Sequence, residues 1–252
     1  MDPRLAAYRA VLFDLDGVLT DTAGVHSRCW KRMFDDYLRE RAARLGEKFV
    51  EFDITEDYLR YVDGKPRYDG VRSFLASRHI DLPDGDPSDP PGTDTICALG
   101  NRKNALLTEV LAREGVETYP GSLRLLDELA AAGVHMAVVS SSKNTPGVLA
   151  AAGISDRFEA VVDGSVAARQ GLRGKPAPDT FLYAAERLGV PREEAVVVED
   201  ALSGVAAGRN GEFGMVVGVA RDGNDEALKA AGADLVVTGL GELAGEKTSR
   251  CE

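Results

Sequence analysis

The chain has 252 residues, of which 44% are hydrophobic and 28% charged, and its formal net charge is −11. This length suits one large domain or two small ones with a sizeable core. The negative charge argues against nucleic acid or an anionic membrane surface as the main partner, because both repel a polyanion. A small anionic substrate remains compatible, because it responds to local charge.

Cysteine usage and the distribution of apolar residues indicate the compartment. Cys29, Cys97 and Cys251 are widely spaced and match no metal-binding pattern. An odd number without a disulfide framework favours a reducing compartment. We find no signal-peptide pattern at the N-terminus and no run near the roughly 20 apolar residues of a membrane helix. The sequence therefore predicts a soluble cytoplasmic protein; we expect a monomer, although no sequence feature requires one.

The first apolar run, Ala10–Phe13, predicts a buried strand, and two carboxylates follow it at Asp14 and Asp16. A helix-rich segment at 24–110 comes next, where buried-strand runs are missing. Its acidic, proline-rich part at 81–94 predicts an exposed loop. The whole segment is interpreted as a small α-helical cap domain inserted after the first strand.

Strand and helix patterns alternate in the rest of the chain, which predicts a doubly wound parallel-sheet core of Rossmann-like α/β type. Helical patterns lie at 122–133, 145–153 and 179–189, the second with Thr145 as N-cap and Pro146 as its first residue. The later predicted strands are Val134–Val139, Phe158–Val162, Ala195–Val198, Met215–Ala220 and Leu235–Thr238. The expected domains are 1–23 and 111–245 for the core, 24–110 for the cap and 246–252 for a flexible tail.

Polar residues follow the predicted strands at the edge where ligands bind in doubly wound sheets. Asp14 and Asp16 follow the first strand, 140–144 follows another, and Glu199 and Asp200 follow a third. Gathered carboxylates suit Mg²⁺, and lysine and serine beside them suit a phosphoryl group. One aspartate can then attack phosphorus while the other transfers a proton.

These residues carry a family resemblance. The segments "FDLDGVLTDT", "SSSKN", "GKPAPD" and "VVVED" resemble, in order and spacing, the four motifs of the haloacid dehalogenase superfamily. The helical insertion resembles the mobile cap of that superfamily. The segment "TDTAGVHSRCW" and the Gly-x-x-Arg element at 64–67 are similar to the β-phosphoglucomutase-like subgroup.

The resemblance implies roles for the core residues. Asp14 would be the nucleophile and Asp16 the general acid and base, while Ser140 and Lys175 would hold the transferring phosphate. The Mg²⁺ cofactor would be held by the Asp14 carboxylate, the Asp16 backbone carbonyl and Asp200, with Glu199 close by.

The resemblance also implies a site for the rest of the substrate, with Arg67 holding its second phosphate. The other substrate-binding residues would be His26, Gly64, Lys65, Ser141, Ser142, Lys143 and Asn144. For His26, the four-residue spacing to Trp30 equally favours packing in the cap, in line with Met33 and Tyr37.

The implied activity is Mg²⁺-dependent interconversion of β-D-glucose 1-phosphate and D-glucose 6-phosphate, through an aspartyl-phosphate and a sugar bisphosphate. A sugar-phosphate phosphatase is the alternative. Lys65 and Pro66 depart from the smaller or uncharged residues expected in the Gly-x-x-Arg element, and the 81–94 loop enlarges the cap. A third hypothesis, a non-catalytic sugar-phosphate-binding domain, conflicts with retention of the acidic residues and Lys175.

Overall fold

The computed structural model describes residues 1–221 and 223–245. The predicted tail at 246–252 lies outside the described residues. The chain forms two compact units. The core unit comprises Met1–Asp21 and the chain from Glu117 onward, and the helical unit comprises Thr22–Val116. The predicted insertion at 24–110 falls within the helical unit.

The core unit contains a six-stranded parallel sheet with strand order β3-β2-β1-β4-β5-β6. This confirms the predicted doubly wound α/β fold. The order reverses between β1 and β4, and in such sheets ligands bind at the carboxyl ends of the strands beside the reversal. The strands are β1 (Ala10–Phe13), β2 (His135–Val139), β3 (Ala160–Val162), β4 (Ala195–Glu199), β5 (Met215–Val219) and β6 (Leu235–Val237).

Nine α-helices lie in the described part of the chain. Those of the helical unit are α1 (Ala23–Leu45), α2 (Arg67–Ser77) and α3 (Ile96–Glu114). Those of the core unit are α4 (Pro120–Ala131), α5 (Thr145–Ala151), α6 (Gly164–Gln170), α7 (Asp179–Leu188), α8 (Leu202–Asn210) and α9 (Asp225–Ala231). Within these described residues, no helix has the length and apolar character needed to cross a membrane.

The central strand β1 explains why the apolar runs of this sequence lack alternation. All of its residues are fully buried, because both faces of the sheet are covered. Phe13 pairs with Val138 of β2 and with Val198 of β4. This register brings the residues that follow β1, β2 and β4 to the same edge of the sheet.

The predicted start of α5 is wrong by one residue. Asn144 is the N-cap and Thr145 is the first helical residue, with its hydroxyl donating to the Ser142 carbonyl at 2.9 Å. The Ser142 hydroxyl accepts from the Asn144 amide at 3.2 Å. This local turn starts the helix earlier than expected, and Pro146 is tolerated because the first helical turn needs no amide donor from it.

The helical unit packs around its own aromatic core. The ring centroid of Phe34 lies 5.0 Å from that of Phe52 and 4.2 Å from that of Phe74, and both partners are fully buried. Trp30, four residues after His26 on α1, is buried and stacks on Phe34 at 5.4 Å. Residues 81–94, all of them described, contain no helix or strand and are largely exposed, as predicted.

Candidate active site

A buried ion-pair cluster occupies the carboxyl edge of the sheet. Asp14 directly follows β1, Glu199 ends β4, and Lys175 comes from the loop before α7. The Lys175 ammonium donates to Asp14 Oδ1 at 2.6 Å and to the Val139 carbonyl at 3.0 Å, and it also contacts the Glu199 carboxylate. Two of these contacts are hydrogen bonds, and the third is an ion pair with Glu199. Lys175 therefore fixes the Asp14 carboxylate against the end of β2.

Burial dominates the electrostatics of this cluster. Desolvation raises the pKa of Asp14, and the Lys175 ammonium offsets only part of that shift. Desolvation likewise raises the pKa of Glu199 to about 8. Burial lowers the pKa of Lys175, but the two neighbouring carboxylates outweigh it, so the net shift is upward. One ammonium thus serves two carboxylates, and the cluster favours an additional positive charge.

Asp200 extends this acidic group. Within the part of the chain that the structure describes, Asp14, Glu199 and Asp200 offer oxygen atoms that all lie within 4.8 Å of one another. Asp14 and Glu199 are buried, whereas Asp200 is partly exposed. Asp16 follows Leu15 in the loop after β1, and its backbone forms an isolated β-bridge with Thr20.

Gly204 in α8 is a site residue that the motif comparison missed. A Cβ atom added to Gly204 would lie 1.9 Å from Glu199 Oε1, so only glycine lets the helix pass the Glu199 side chain. The Ala201 amide donates to Glu199 Oε2 at 3.2 Å and fixes the other oxygen. A glycine inside a helical pattern was the available signal, because such glycines often mark a close approach.

The serine loop after β2 forms the other side of this edge. The Ser140 amide donates to the Val162 carbonyl at 3.0 Å, which continues the pairing of β2 with β3. Ser140 is buried, and its Oγ accepts from the Ser142 amide at 3.2 Å. Ser141, Ser142 and Asn144 are partly exposed and Lys143 is exposed. The loop therefore presents hydroxyl, amide and ammonium groups beyond the buried Ser140.

In the helical unit, His26 lies beside a buried lysine that the motif comparison also missed. Lys103 is 4% exposed, and its ammonium lies 3.2 Å from His26 Nδ1 and 5.2 Å from the centroid of the Trp30 ring. Burial, and secondarily the Lys103 charge, lowers the pKa of His26 well below its usual range. His26 is therefore neutral near pH 7. The sequence signal for this lysine was its spacing: Lys103 lies four residues from both Leu99 and Leu107, which places it on the buried face of α3.

The Gly-x-x-Arg element begins α2 of the helical unit. Gly64 adopts a left-handed conformation with φ of 68°, and Arg67 is the first residue of α2. The Arg67 guanidinium lies 5.1 Å from the centroid of the Tyr68 ring. Lys65 is partly buried and donates to Ser73 Oγ at 2.9 Å, and desolvation lowers its pKa. Lys65 and Arg67 thus place two cationic side chains two residues apart in the sequence.

The structure groups the predicted residues by unit. Around the buried cluster, the core unit gathers Asp14, Asp16, Ser140, Lys175, Glu199 and Asp200 at the sheet edge, with 141–144 beside it. The helical unit contains His26, Gly64, Lys65 and Arg67.

Comparisons with known proteins agree with this geometry. The chain is 56% identical over 238 residues to a β-phosphoglucomutase of Mycobacterium tuberculosis, covering 93% of this chain and 91% of that protein. It is 30% identical over 200 residues to hexitol phosphatase A of Escherichia coli, covering 79% and 78%. The crystal structure of a β-phosphoglucomutase from Clostridium difficile matches with a TM-score of 0.73 at 27% identity, covering 94% and 93%.

The family profile described as haloacid dehalogenase-like hydrolase matches residues 8–211, which include every element of the helical unit and the sheet edge. The predicted resemblance is confirmed, and with it the assignment to phosphoryl-transfer enzymes. The chain belongs to the haloacid dehalogenase-like hydrolase family.

Proposed function

We propose that this protein is a Mg²⁺-dependent phosphosugar mutase that interconverts β-D-glucose 1-phosphate and D-glucose 6-phosphate. The observation that carries the proposal is the buried cluster at the sheet edge, where Lys175 holds the Asp14 carboxylate in place. The extended similarity to a mycobacterial β-phosphoglucomutase supports the choice of reaction and sugar.

Asp14 is the proposed nucleophile. Lys175 restrains the Asp14 Oδ1 atom, which leaves the second carboxylate oxygen to attack a phosphoryl group. The attack forms an aspartyl-phosphate at Asp14 and releases the sugar oxygen, which takes a proton from Asp16. In the reverse direction Asp16 removes a proton from the accepting hydroxyl group. The two carboxylates therefore have separate tasks, as the sequence pattern predicts.

The donor set of the core unit fits a magnesium ion. Asp14, Glu199 and Asp200 bring carboxylate oxygens close together, the Lys175 ammonium contacts two of these groups, and a divalent cation would add further positive charge. Mg²⁺ prefers a few carboxylate or carbonyl oxygens together with water and phosphate. Asp14, Asp200 and the Asp16 carbonyl would hold it, with Glu199 nearby. When bound, it would supply positive charge to the phosphoryl oxygens.

Ser140 and the loop at 141–144 are the proposed partners of the substrate in the core unit. Their hydroxyl groups, the Asn144 side-chain amide and the Lys143 ammonium suit phosphoryl oxygens, whose charge such groups would stabilise. Arg67 is proposed to bind the second phosphate group, since a planar guanidinium pairs well with a dianion. His26, Gly64 and Lys65 complete the proposed substrate contacts from the helical unit.

A sugar-phosphate phosphatase is the second candidate, favoured by the similarity to hexitol phosphatase A. Both activities use the same aspartyl-phosphate and differ in the acceptor, which is water in a phosphatase and a sugar hydroxyl in a mutase. A mutase needs a second phosphate site, because its bisphosphate must bind in two orientations. The cations at Lys65 and Arg67 support such a site.

A product assay with purified protein distinguishes the two candidates. We expect β-glucose 1-phosphate, Mg²⁺ and a trace of glucose 1,6-bisphosphate to yield glucose 6-phosphate without stoichiometric inorganic phosphate. Inorganic phosphate released in proportion to substrate loss would instead identify a phosphatase. In either case Asp14→Asn is expected to abolish turnover, because an amide is a poor nucleophile. Appreciable turnover by that variant would remove Asp14 from its assigned role.

A further inference from the structure

Side chains from distant parts of the core unit hold the backbone of the loop that carries Asp16. Arg221 follows β5, and its guanidinium donates from Nε to the Gly17 carbonyl and from Nη2 to the Val18 carbonyl at 3.3 Å. The Ser122 hydroxyl donates to the same Val18 carbonyl at 2.7 Å. Gly17 and Val18 are buried, so their carbonyl groups need protein donors.

The guanidinium of Arg221 is itself held in place. It lies 3.3 Å from the centroid of the Tyr119 ring, a short cation–π contact. The Tyr119 hydroxyl donates to Asp21 Oδ1 at 2.8 Å, and burial raises the pKa of that hydroxyl, so the donor stays protonated. The Asp21 amide donates to the Glu117 carbonyl at 2.9 Å. Through Tyr119, Arg221 therefore links the loop to Asp21, where the chain leaves the core unit, and to the segment that begins at Glu117, where the chain returns to it.

We propose that Arg221 is a positioning residue for Asp16, an inference that rests on the proposed function. Asp16 directly precedes Gly17, whose carbonyl Arg221 binds. A proton-transfer group acts only within hydrogen-bond reach of the reacting oxygen, so small movements of this loop alter catalysis. The two-pronged guanidinium restrains two successive carbonyl groups, which one ammonium donor cannot do equally well.

The test compares two phosphoryl donors that differ in their need for an acid. A sugar alkoxide needs a proton as it leaves, whereas p-nitrophenolate and acetate leave without one. For Arg221→Ala we expect turnover of β-glucose 1-phosphate to fall about ten-fold or more, a part of the usual contribution of general acid catalysis. The first burst of product from p-nitrophenyl phosphate or acetyl phosphate should stay within about three-fold of the wild type on the same grounds. Arg221→Lys should restore part of the sugar-phosphate activity.

Arg192→Ala is the matched control, because it also removes an arginine with two side-chain partners, Glu193 and Glu212, on the surface of the core unit. It should leave both reactions unchanged. Equal losses on both donors for Arg221→Ala, or no loss on either, would overturn the positioning role. Release of inorganic phosphate by the wild type would overturn the mutase assignment alone, since the two donors still report on Asp16.

Discussion

The two units of this protein each bury a lysine, and they do so in different ways. Lys175 in the core unit contacts two carboxylates, Asp14 and Glu199. Lys103 in the helical unit has among its contacts a neutral imidazole, His26, and the face of Trp30. A buried ammonium paired with anions fixes those anions in place, whereas one beside an imidazole adds to the effect of burial in disfavouring its protonation. The first arrangement positions the proposed nucleophile, and the second lowers the pKa of a titrating group.

Removing the core lysine is expected to have the largest effect. Lys175→Met would leave Asp14 and Glu199 buried without their shared cation, which costs about 3–5 kcal/mol of unfolding free energy. Denaturant unfolding at pH 7 measures this loss, and turnover should fall with it. The double variant Lys175→Met with Glu199→Gln should recover part of the stability, because one of the two buried carboxyl groups left without their cation becomes a neutral amide. Failure of the second substitution to recover any stability would show that the pair is not electrostatically coupled.

A smaller effect is expected from adding one methyl group beside the same cluster. Gly204→Ala places a Cβ atom against Glu199 Oε1 and forces that carboxylate to move, at about 1–3 kcal/mol for an overpacked site. The control is Gly147→Ala in α5, where an added Cβ meets nothing within 4 Å. That change should raise stability by about 0.5–1 kcal/mol, because alanine favours helix. If the two variants had equal stability, Glu199 would not need the space.

In the helical unit, the stability of the protein should depend on pH through His26. Burial and Lys103 hold the pKa of His26 below the ordinary 6.5. Between the lowered pKa and pH 6.5, His26 is therefore protonated in the unfolded chain and neutral in the folded chain. The contribution of His26 to stability is therefore complete above pH 6.5 and is lost as the pH falls towards the lower folded pKa. The difference between wild type and His26→Gln should change by up to about 1.4 kcal/mol per pH unit below that point.

Two variants of Lys103 test the same contact directly. Lys103→Met should raise the pKa of His26, measured by NMR titration of the imidazole, because a neighbouring positive charge is removed. Lys103→Arg keeps that charge and should leave the pKa low. An unchanged pKa in the methionine variant would mean that burial alone sets it.

Sequence reasoning succeeded where backbone geometry decides position. Asp14, Ser140 and Glu199 were predicted to converge because parallel strands end at one edge, and the register of β1 with β2 and β4 confirms that convergence. The start of α5 at Thr145 was missed because it depends on a local turn in which the Asn144 amide donates to the Ser142 hydroxyl.

The other missed residues depend on distances between elements far apart in the chain. Gly204 matters because α8 passes within contact of Glu199, and Arg221 because its guanidinium reaches a loop more than 200 residues away. Lys103 depends on how α3 packs beside α1. The sequence contains a signal for two of these residues, a helical glycine for Gly204 and a buried-face lysine for Lys103, but not the distance that gives either signal meaning.

The strand order also governs how this protein emerges from the ribosome. The first strand to be made, β1, lies at the centre of the sheet, and its two neighbours are His135–Val139 and Ala195–Glu199. At ordinary translation speeds, the second neighbour follows on the order of 10–40 s later. Until β2 is made, β1 is a fully apolar segment without either hydrogen-bonded neighbour, and until β4 is made it has one at most; the helical unit is completed before either neighbour. Newly made chains of this topology are therefore most prone to association before β4 is synthesised, and chaperones that bind short apolar segments should act at that stage.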